Sequence, residues 1–210
     1  MKRGNMNSWI CKNYKLPICK FRGFKVNIKY PCLVSVKYDG ELEYIIKKNG
    51  KVYMVNKPEY GRYREGGKAL EEFAKLNLPD GVYLAELIAG EGRRKEDFYE
   101  LLKNRTSDDL KLKIFGKIDL DTRKTISLLK RIKGTYVSPV KFWVVRSEKQ
   151  LKKLINKWIL KEGYEGLVAR NMNAKWIQGK SHGWVKIKRV GRELYTSRYG
   201  WWIGKERFIL

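Results

Sequence analysis

The stretch Val36-Lys37-Tyr38-Asp39-Gly40 lies between two apolar runs, at positions 33–36 and 42–46. This pattern predicts two strands joined by a tight connection. Because side chains alternate along a strand, Lys37 and Asp39 point to the same side of the chain, and Gly40 lets the backbone turn or approach a ligand. The same residues are also typical of an ordinary polar turn. The partners that the rest of the chain offers to Lys37 decide between the two interpretations.

The composition is strongly basic. The 210 residues include 47 Lys and Arg against 22 Asp and Glu, which gives a formal net charge of +25. A soluble chain with this charge repels itself unless its usual partner is a polyanion, so nucleic acid is the first candidate partner. The 7 Trp, 13 Tyr and 7 Phe among the basic residues favour a binding groove. A general basic bias or an anionic membrane surface is the alternative, although no basic amphipathic helix stands out.

The length and the 43% hydrophobic content are typical of one globular domain, which we place at 1–210 and expect to be monomeric. Cys11, Cys19 and Cys32 are odd in number and lack the paired spacing of a zinc site, which indicates free thiols and a cytoplasmic protein. No apolar run has membrane-spanning length and no leader segment is recognisable, so no membrane partner is expected.

Two local signals are strong. Asn49-Gly50 between apolar residues predicts a two-residue hairpin turn. The segment 147–150, Ser-Glu-Lys-Gln, predicts the start of a helix that ends at Gly163.

Two carboxylates stand in or beside apolar strands. Glu86 lies within the apolar run 82–89, and Glu165 opens the apolar run 165–170. Burial of a carboxylate is costly unless the group is paired or bound to a ligand. Glu86 is therefore expected to face a pocket, a metal or a hydroxyl group, and Glu165 to bind a metal.

The segment 184–189 places Lys186 and Lys188 on one face of a predicted strand whose other face is apolar. An ordinary half-exposed strand is the alternative interpretation. A lysine nucleophile must be neutral to attack, and neighbouring cations favour the neutral amine and stabilise charge on a phosphate. Our hypothesis is that Lys37 is a covalent nucleophile for a nucleotide, assisted by these lysines and by a metal on Glu165. A single histidine and the lack of a Gly-rich phosphate loop argue against other common chemistries.

Five stretches in chain order resemble motifs I, III, IIIa, IV and V of the covalent nucleotidyltransferase superfamily, which comprises DNA ligases, RNA ligases and mRNA capping enzymes. They are KYDG (37–40), YLAELIAG (83–90), FGKIDL (115–120), EGLVAR (165–170) and WVKIKR (184–189). The surroundings at 91–102 and 179–181 are most similar to ATP-dependent DNA ligases. The resemblance implies an α+β fold, a nucleotidyltransferase core in which two antiparallel sheets with flanking helices enclose a nucleotide groove.

The resemblance also implies roles for individual residues. Lys37 is the residue that becomes adenylated, and Asp39 arranges the nick ends or the metal. ATP is the nucleotide, and Mg²⁺ or Mn²⁺ is the metal. Glu86 contacts the ribose or a metal, and Glu165 binds the metal. The α-phosphate is held by Lys186 and Lys188.

Contacts with nucleic acid are expected from basic residues around these motifs. The segment 57–68 either holds a phosphate backbone or is simply a solvated loop. At the end of motif IV an arginine replaces the usual lysine. The candidate contacts are Arg62, Arg64, Lys68, Arg170, Lys180 and Arg189.

The sequence departs from the DNA ligase pattern at three places. Leu42 stands where DNA ligases usually carry arginine, and this is closer to some RNA ligases. Ile118 stands where an aromatic ring often stacks on adenine, so Phe115 or another ring is the candidate. The chain ends at Leu210, so an OB domain with motif VI is not expected within it. A partner chain, or the basic and aromatic segments at 1–22, 57–68 and 195–210, would then replace its function.

The leading interpretation is an ATP-dependent polynucleotide ligase that seals nicked duplex DNA in replication or repair through a lysyl-AMP intermediate. An RNA ligase is the second interpretation, and a GTP-dependent capping enzyme ranks lower. The non-enzyme alternative is a basic nucleic-acid-binding protein that has kept a ligase-like core.

Overall fold

The computed structural model describes residues 19–21, 28–56, 63–64, 66–92, 109–177, 179–181, 183–189, 200–203 and 206–209. Within these residues the strands form two six-stranded sheets and one two-stranded pair, accompanied by three α-helices. This confirms the predicted α+β class.

The first six-stranded sheet contains the hairpin that follows Gly40. Its strands in spatial order are β5 (Tyr63–Arg64), β4 (Lys51–Val55), β3 (Glu41–Lys48), β6 (Gly81–Ala89), β7 (Leu110–Lys117) and β8 (Val137–Pro139). Asn49 and Gly50, at φ of 50° and 75°, join β3 to β4 and confirm the predicted hairpin turn. The sheet is antiparallel except for β7 and β8, which pair in parallel because a helix connects them.

The second six-stranded sheet is antiparallel throughout and contains the strand that delivers Lys37. Its strands in spatial order are β13 (Gly200–Ile203), β14 (Glu206–Ile209), β12 (Trp184–Arg189), β10 (Gly166–Asn171), β2 (Cys32–Lys37) and β9 (Phe142–Val145). The end of the chain thus adds a hairpin beside β12. A short parallel pair joins β1 (Cys19–Phe21) to β11 (Gly179–Ser181).

The helices are α1 (Lys68–Lys75), α2 (Thr122–Arg131) and α3 (Glu148–Ile155), and α3 continues as a π-helix over Asn156–Lys161. Ser147 caps α3 as predicted, because its hydroxyl accepts a hydrogen bond from the backbone N–H of Gln150 at 3.4 Å. The Gln150 side chain accepts from the N–H of Arg146 at 2.7 Å, one residue before the position expected for a capping box. No helix among the described residues is both long and apolar enough to cross a membrane.

Side chains along the strands of the second sheet point alternately to its two faces, and the two faces belong to different buried clusters. Val36, Leu167 and Ile187 belong to a buried cluster that also contains Leu151 and Ile155 of α3. The other face carries Trp184, which shares a second cluster with side chains of β3, β4 and β6. Residues of both six-stranded sheets therefore meet on the face that carries Lys37.

Candidate nucleotide-binding site

Strand register brings the three predicted catalytic lysines onto one face of the second sheet. Gly166 of β10 pairs with Lys37 on one side and with Lys188 on the other. In the next row on that face, Val168 pairs with Ser35 and with Lys186. Lys37 is thus adjacent to Lys186 and Lys188, although it is far from both in the sequence.

Glu165 neutralises two of these lysines. Its Oε2 accepts a hydrogen bond from Lys37 Nζ, and its Oε1 accepts one from Lys188 Nζ. Burial alone raises the pKa of Glu165, but the charges and hydrogen bonds of Lys37 and Lys188 outweigh burial and leave that pKa below its usual value. The carboxylate is therefore ionised and fixes both amines in place.

Gly166 leaves the space in which the two amines converge. A Cβ atom at this position would collide with the backbone oxygen of Ile187 and would lie 3.3 Å from Lys188 Cγ. A side chain here would project between Lys37 and Lys188, because both pair with this residue. Glycine is consequently required for close packing of β10 and β12.

Glu86 faces the same space from the first sheet. Its Oε1 accepts a hydrogen bond from the backbone N–H of Gly40 at 3.3 Å. Burial raises the pKa of Glu86 to about 7, against the lowering effect of Lys37 and of the Gly40 hydrogen bond, and Glu165 adds to the increase. Glu86 can therefore hold or release a proton near neutral pH.

Lys186 is the third amine of the cluster. Burial lowers the pKa of Lys186, and the charges of Lys37 and Lys188 lower it further, whereas Glu165 and Glu86 act in the opposite direction. A phosphate oxygen placed here would receive charge-assisted hydrogen bonds in a partly desolvated site.

A cavity of about 180 Å³ opens beside these groups. Lys37, Glu86 and Lys186 line its charged part, and Phe115, Trp176 and Trp184 line its aromatic part. The Phe115 and Trp176 ring centroids are 5.6 Å apart, and those of Trp176 and Trp184 are 5.3 Å apart. A nucleotide would match the two parts of this cavity, with its flat base against the aromatic rings and its phosphate against the lysine amines.

Trp176 was missed in the sequence analysis. It follows β10 in a segment without strand or helix periodicity, so no local pattern marks it. It is 6% exposed and lies against Phe115. Phe115 lies on the cavity wall, and its stacking on a base stays a prediction.

Arg170 is not placed as the sequence analysis predicted. Its side chain is 1% exposed, so it is an internal cation and lies away from any surface that nucleic acid can reach. Arg170 Nη1 donates to the backbone oxygen of Phe115 at 2.5 Å, and the guanidinium lies 4.6 Å from the Trp184 ring centroid. Burial lowers the pKa of Arg170 to about 9, which leaves it charged at neutral pH. Arg170 thus packs against Phe115 and Trp184, two of the aromatic residues that line the cavity.

The other predicted contacts with nucleic acid are described only in part. Lys68 opens α1, is exposed and lies 5.7 Å from the Tyr136 ring centroid. Arg62 lies outside the described residues. Arg64, Lys180 and Arg189 lie in β5, β11 and β12, and their side chains are outside the described part of the chain. These assignments stay predictions.

Asp39 lies at the turn after β2, where its backbone N–H donates to Gly92 O at 2.9 Å.

Among the described residues, no three His, Cys, Asp or Glu side chains form a metal cluster. Mg²⁺ commonly binds through one or two carboxylates together with substrate phosphates. Both oxygens of Glu165 accept from lysines, so the binding of a metal by Glu165 and Glu86 stays a prediction.

The fold is similar to that of solved DNA ligases. The bacteriophage T7 ATP-dependent DNA ligase in complex with ATP gives a TM-score of 0.62 at 16% identity, covering 84% of this chain and 69% of that chain. A Lig E DNA ligase from a study of DNA binding with a minimal scaffold gives 0.61 at 17% identity, covering 82% and 68%. The Chlorella virus DNA ligase-adenylate gives 0.56 at 17% identity, covering 83% and 70%.

The chain thus has the fold of the adenylation domain of ATP-dependent DNA ligases. Among eight of the matching solved chains, it spans between 43% and 70% of the matched chain's length. No family model matches the sequence, and no curated protein matches it.

Proposed function

We propose that this protein is an ATP-dependent polynucleotide ligase that acts on nicked DNA through a covalent lysyl-AMP intermediate. The observation that carries the proposal is the convergence of Lys37, Lys186 and Lys188 around Glu165, beside a cavity with an aromatic part. The ligase-like fold supports it, as does the ATP bound to the T7 ligase.

The first step transfers AMP to the protein. Lys37 Nζ first passes the proton of its ion pair with Glu165 to that carboxylate or to water. The neutral amine then attacks the α-phosphorus of ATP, a nitrogen–phosphorus bond forms, the bond to the β-phosphate oxygen breaks, and pyrophosphate leaves and takes up the second proton that the nitrogen loses. Glu165 accepts a hydrogen bond from this amine and so fixes its position, and it is near enough to receive the first of the two protons. Lys186 and Lys188 stabilise the charge that builds up on the α-phosphate oxygens.

The later steps use the stored AMP. An oxygen of a 5′-phosphate attacks the phosphorus of lysyl-AMP, the nitrogen–phosphorus bond breaks and Lys37 regains its amine. A 3′-hydroxyl then attacks the activated 5′-phosphate and AMP leaves, which seals the strand. A Mg²⁺ held by Glu165 and Glu86 would neutralise phosphate charge when bound.

DNA and RNA are distinguished by a sealing assay. We expect ATP, and not GTP, to support joining of a nicked DNA duplex, and we expect slower joining of RNA at a matched nick. Faster joining of RNA would favour the second candidate, an RNA ligase, for which Leu42 in β3 is the supporting observation. Binding of nucleic acid without joining or labelling would leave a non-catalytic binding protein.

A further inference from the structure

Lys113 and Lys141 lie beside a pair of tyrosine rings, Tyr38 and Tyr164, and Lys111 lies near them on β7. Lys111 and Lys113 lie two residues apart on β7 and therefore point to the same face, and Lys141 directly precedes β9. Lys113 Nζ donates to Ser138 Oγ at 2.7 Å, and Ser138 pairs with Lys113 in the β7–β8 register. We call these three lysines and Ser138 the β7–β9 lysine cluster.

Two tyrosine rings hold the amines of this cluster in place. Lys113 Nζ lies 5.6 Å from the Tyr38 ring centroid, and Lys141 Nζ lies 5.3 Å from that of Tyr164. The two rings are in edge contact, with centroids 5.5 Å apart, and are almost completely buried. Lys141 Nζ also donates to Tyr164 OH at 3.2 Å and lies 4.6 Å from the Trp158 ring centroid. The lysines are thus preorganised on rigid aromatic supports.

No carboxylate neutralises the cluster within the described part of the chain. The contacts of Lys113 and Lys141 there are a hydroxyl group and aromatic rings. Burial lowers the pKa of Lys113, and the charges of Lys111 and Lys141 lower it further, as expected for like charges beside this amine. An anion bound between them would reduce the repulsion between these charges.

We propose that the β7–β9 lysine cluster binds a phosphate of the nucleic acid strand, at a position separate from the reacting α-phosphate. Tyr38 belongs to the same buried cluster as Val34 and Val36, whereas Lys37 points to the opposite face of β2. Tyr38 lines the same cavity as Lys37, but Lys113 and Lys141 do not, so we place their phosphate outside the cavity in which Lys37 reacts. A polynucleotide supplies phosphates at several separate positions, as two separate cation sites require. The inference rests on nucleic acid being the substrate.

The test uses the whole chain with Lys113→Gln and Lys141→Gln, singly and together. The matched control is the double variant Lys124→Gln/Lys130→Gln, which removes two exposed charges from α2. Binding to a nicked duplex is measured against salt concentration. We expect the log–log slope of the cluster double variant to fall by about 1 to 2 relative to wild type, and the slope of the control to stay unchanged. An unchanged slope in the cluster double variant overturns the inference.

A second readout separates nucleic acid from ATP as the source of the phosphate. Labelling with α-labelled ATP is measured without nucleic acid, and the cluster double variant is expected to label as wild type does. Lost labelling with unchanged duplex binding would assign the cluster to the β- and γ-phosphates of ATP and overturn the inference. If the Lys113 variant does not fold, the exposed Lys141→Gln carries the test, with an expected fall in slope of about 1.

Failure of the proposed function gives a different result. A wild-type protein that neither labels nor binds duplex would reject both the function and the inference. A wild-type protein that labels and binds, beside a cluster double variant that binds equally well, would reject the inference alone.

Discussion

Lys37 and Glu165 form an ion pair between neighbouring strands, although 128 positions separate them in the sequence. Each side chain is 20% exposed, so the pair is screened from water on most sides. The second oxygen of Glu165 accepts from Lys188, so one carboxylate fixes two cations. Substitution of this carboxylate should therefore affect stability and catalysis together.

Glu165→Gln is expected to lower the free energy of unfolding at pH 7 by about 1 to 3 kcal/mol, because both charge-assisted hydrogen bonds are weakened. It is also expected to abolish Mg²⁺-dependent labelling in a protein that still folds. The pKa of Glu165 is lower in the folded state, so its stabilisation is present above the unfolded value near 4.5 and is lost as the pH falls through the folded value. The difference between wild type and variant should therefore shrink in acid.

Chemical denaturation from pH 3 to pH 8 checks this expectation. The control is Glu148→Gln, which removes an exposed pair with Lys152 and should change the free energy of unfolding by about 0.5 kcal/mol or less. Equal effects of the two substitutions at pH 7 would show that Glu165 is an ordinary surface carboxylate.

Glu86→Gln is expected to show a pH dependence opposite in sign to that of Glu165→Gln. The free energy of unfolding of the Glu86 variant relative to wild type should rise as the pH rises. The folded pKa of Glu86, about 7, lies above the unfolded value, so folding favours the protonated acid. The stability that Glu86 contributes is present below pH 4.5 and is lost as the pH rises through 7. Relative to wild type, the variant should therefore gain about 2 to 3 kcal/mol between pH 4.5 and pH 8, measured by denaturation without divalent metal. A constant difference across this range would contradict the raised pKa.

Gly166→Ala is expected to cost several kcal/mol of stability and most of the labelling activity. The added Cβ would push β12 away from β10 at the residue that pairs with both Lys37 and Lys188. The control is Gly50→Ala at the hairpin turn, where φ is 75° and no atom lies within 4 Å of the added Cβ. That substitution should cost about 1 kcal/mol and leave labelling intact. If both variants label normally, the close packing at Gly166 does not matter for the site.

Phe115→Ala is expected to weaken ATP binding by about tenfold or more, since stacking of a base on a ring contributes about 1 to 3 kcal/mol. Phe115→Tyr keeps the ring and should bind as wild type does. Calorimetric titration with ATP measures both affinities. Unchanged binding in a folded Phe115→Ala protein would assign the base to the other rings of the cavity, Trp176 and Trp184.

Much of the fold followed from local patterns in the sequence. Alternation places Lys186 and Lys188 on one face of β12, and the Asn49-Gly50 turn is formed as its residue types require. The sequence predicts a metal on Glu165, whereas the structure pairs its carboxylate with two lysines, and metal binding stays a prediction. The alternation and the turn depend on residue type and on spacing within a single element, which the sequence records directly.

The remaining features depend on how distant elements pack. Alternation places the Arg170 side chain on one face of β10, but only the packing of the first sheet against that face shows that it is covered and that Arg170 is buried. Trp176 lines the cavity from a segment without regular secondary structure, so no periodic pattern of apolar residues marks it in the sequence. The contacts of Lys113 and Lys141 with a pair of tyrosine rings depend on strand register, and register between strands far apart in sequence is not encoded locally.

The identity of the nucleophile is tested most directly by peptide mapping after incubation with ATP and Mg²⁺. Mass spectrometry of the digested protein should find one AMP moiety, attached to the peptide that contains Lys37, and Lys37→Ala should carry none although it folds. Lys47→Ala, in β3 of the first sheet, should retain the label, because Lys47 Nζ donates to the backbone oxygens of Ala74 and Leu76 and does not line the cavity. AMP found on another residue, or equal labelling of Lys37→Ala and wild type, would contradict the account.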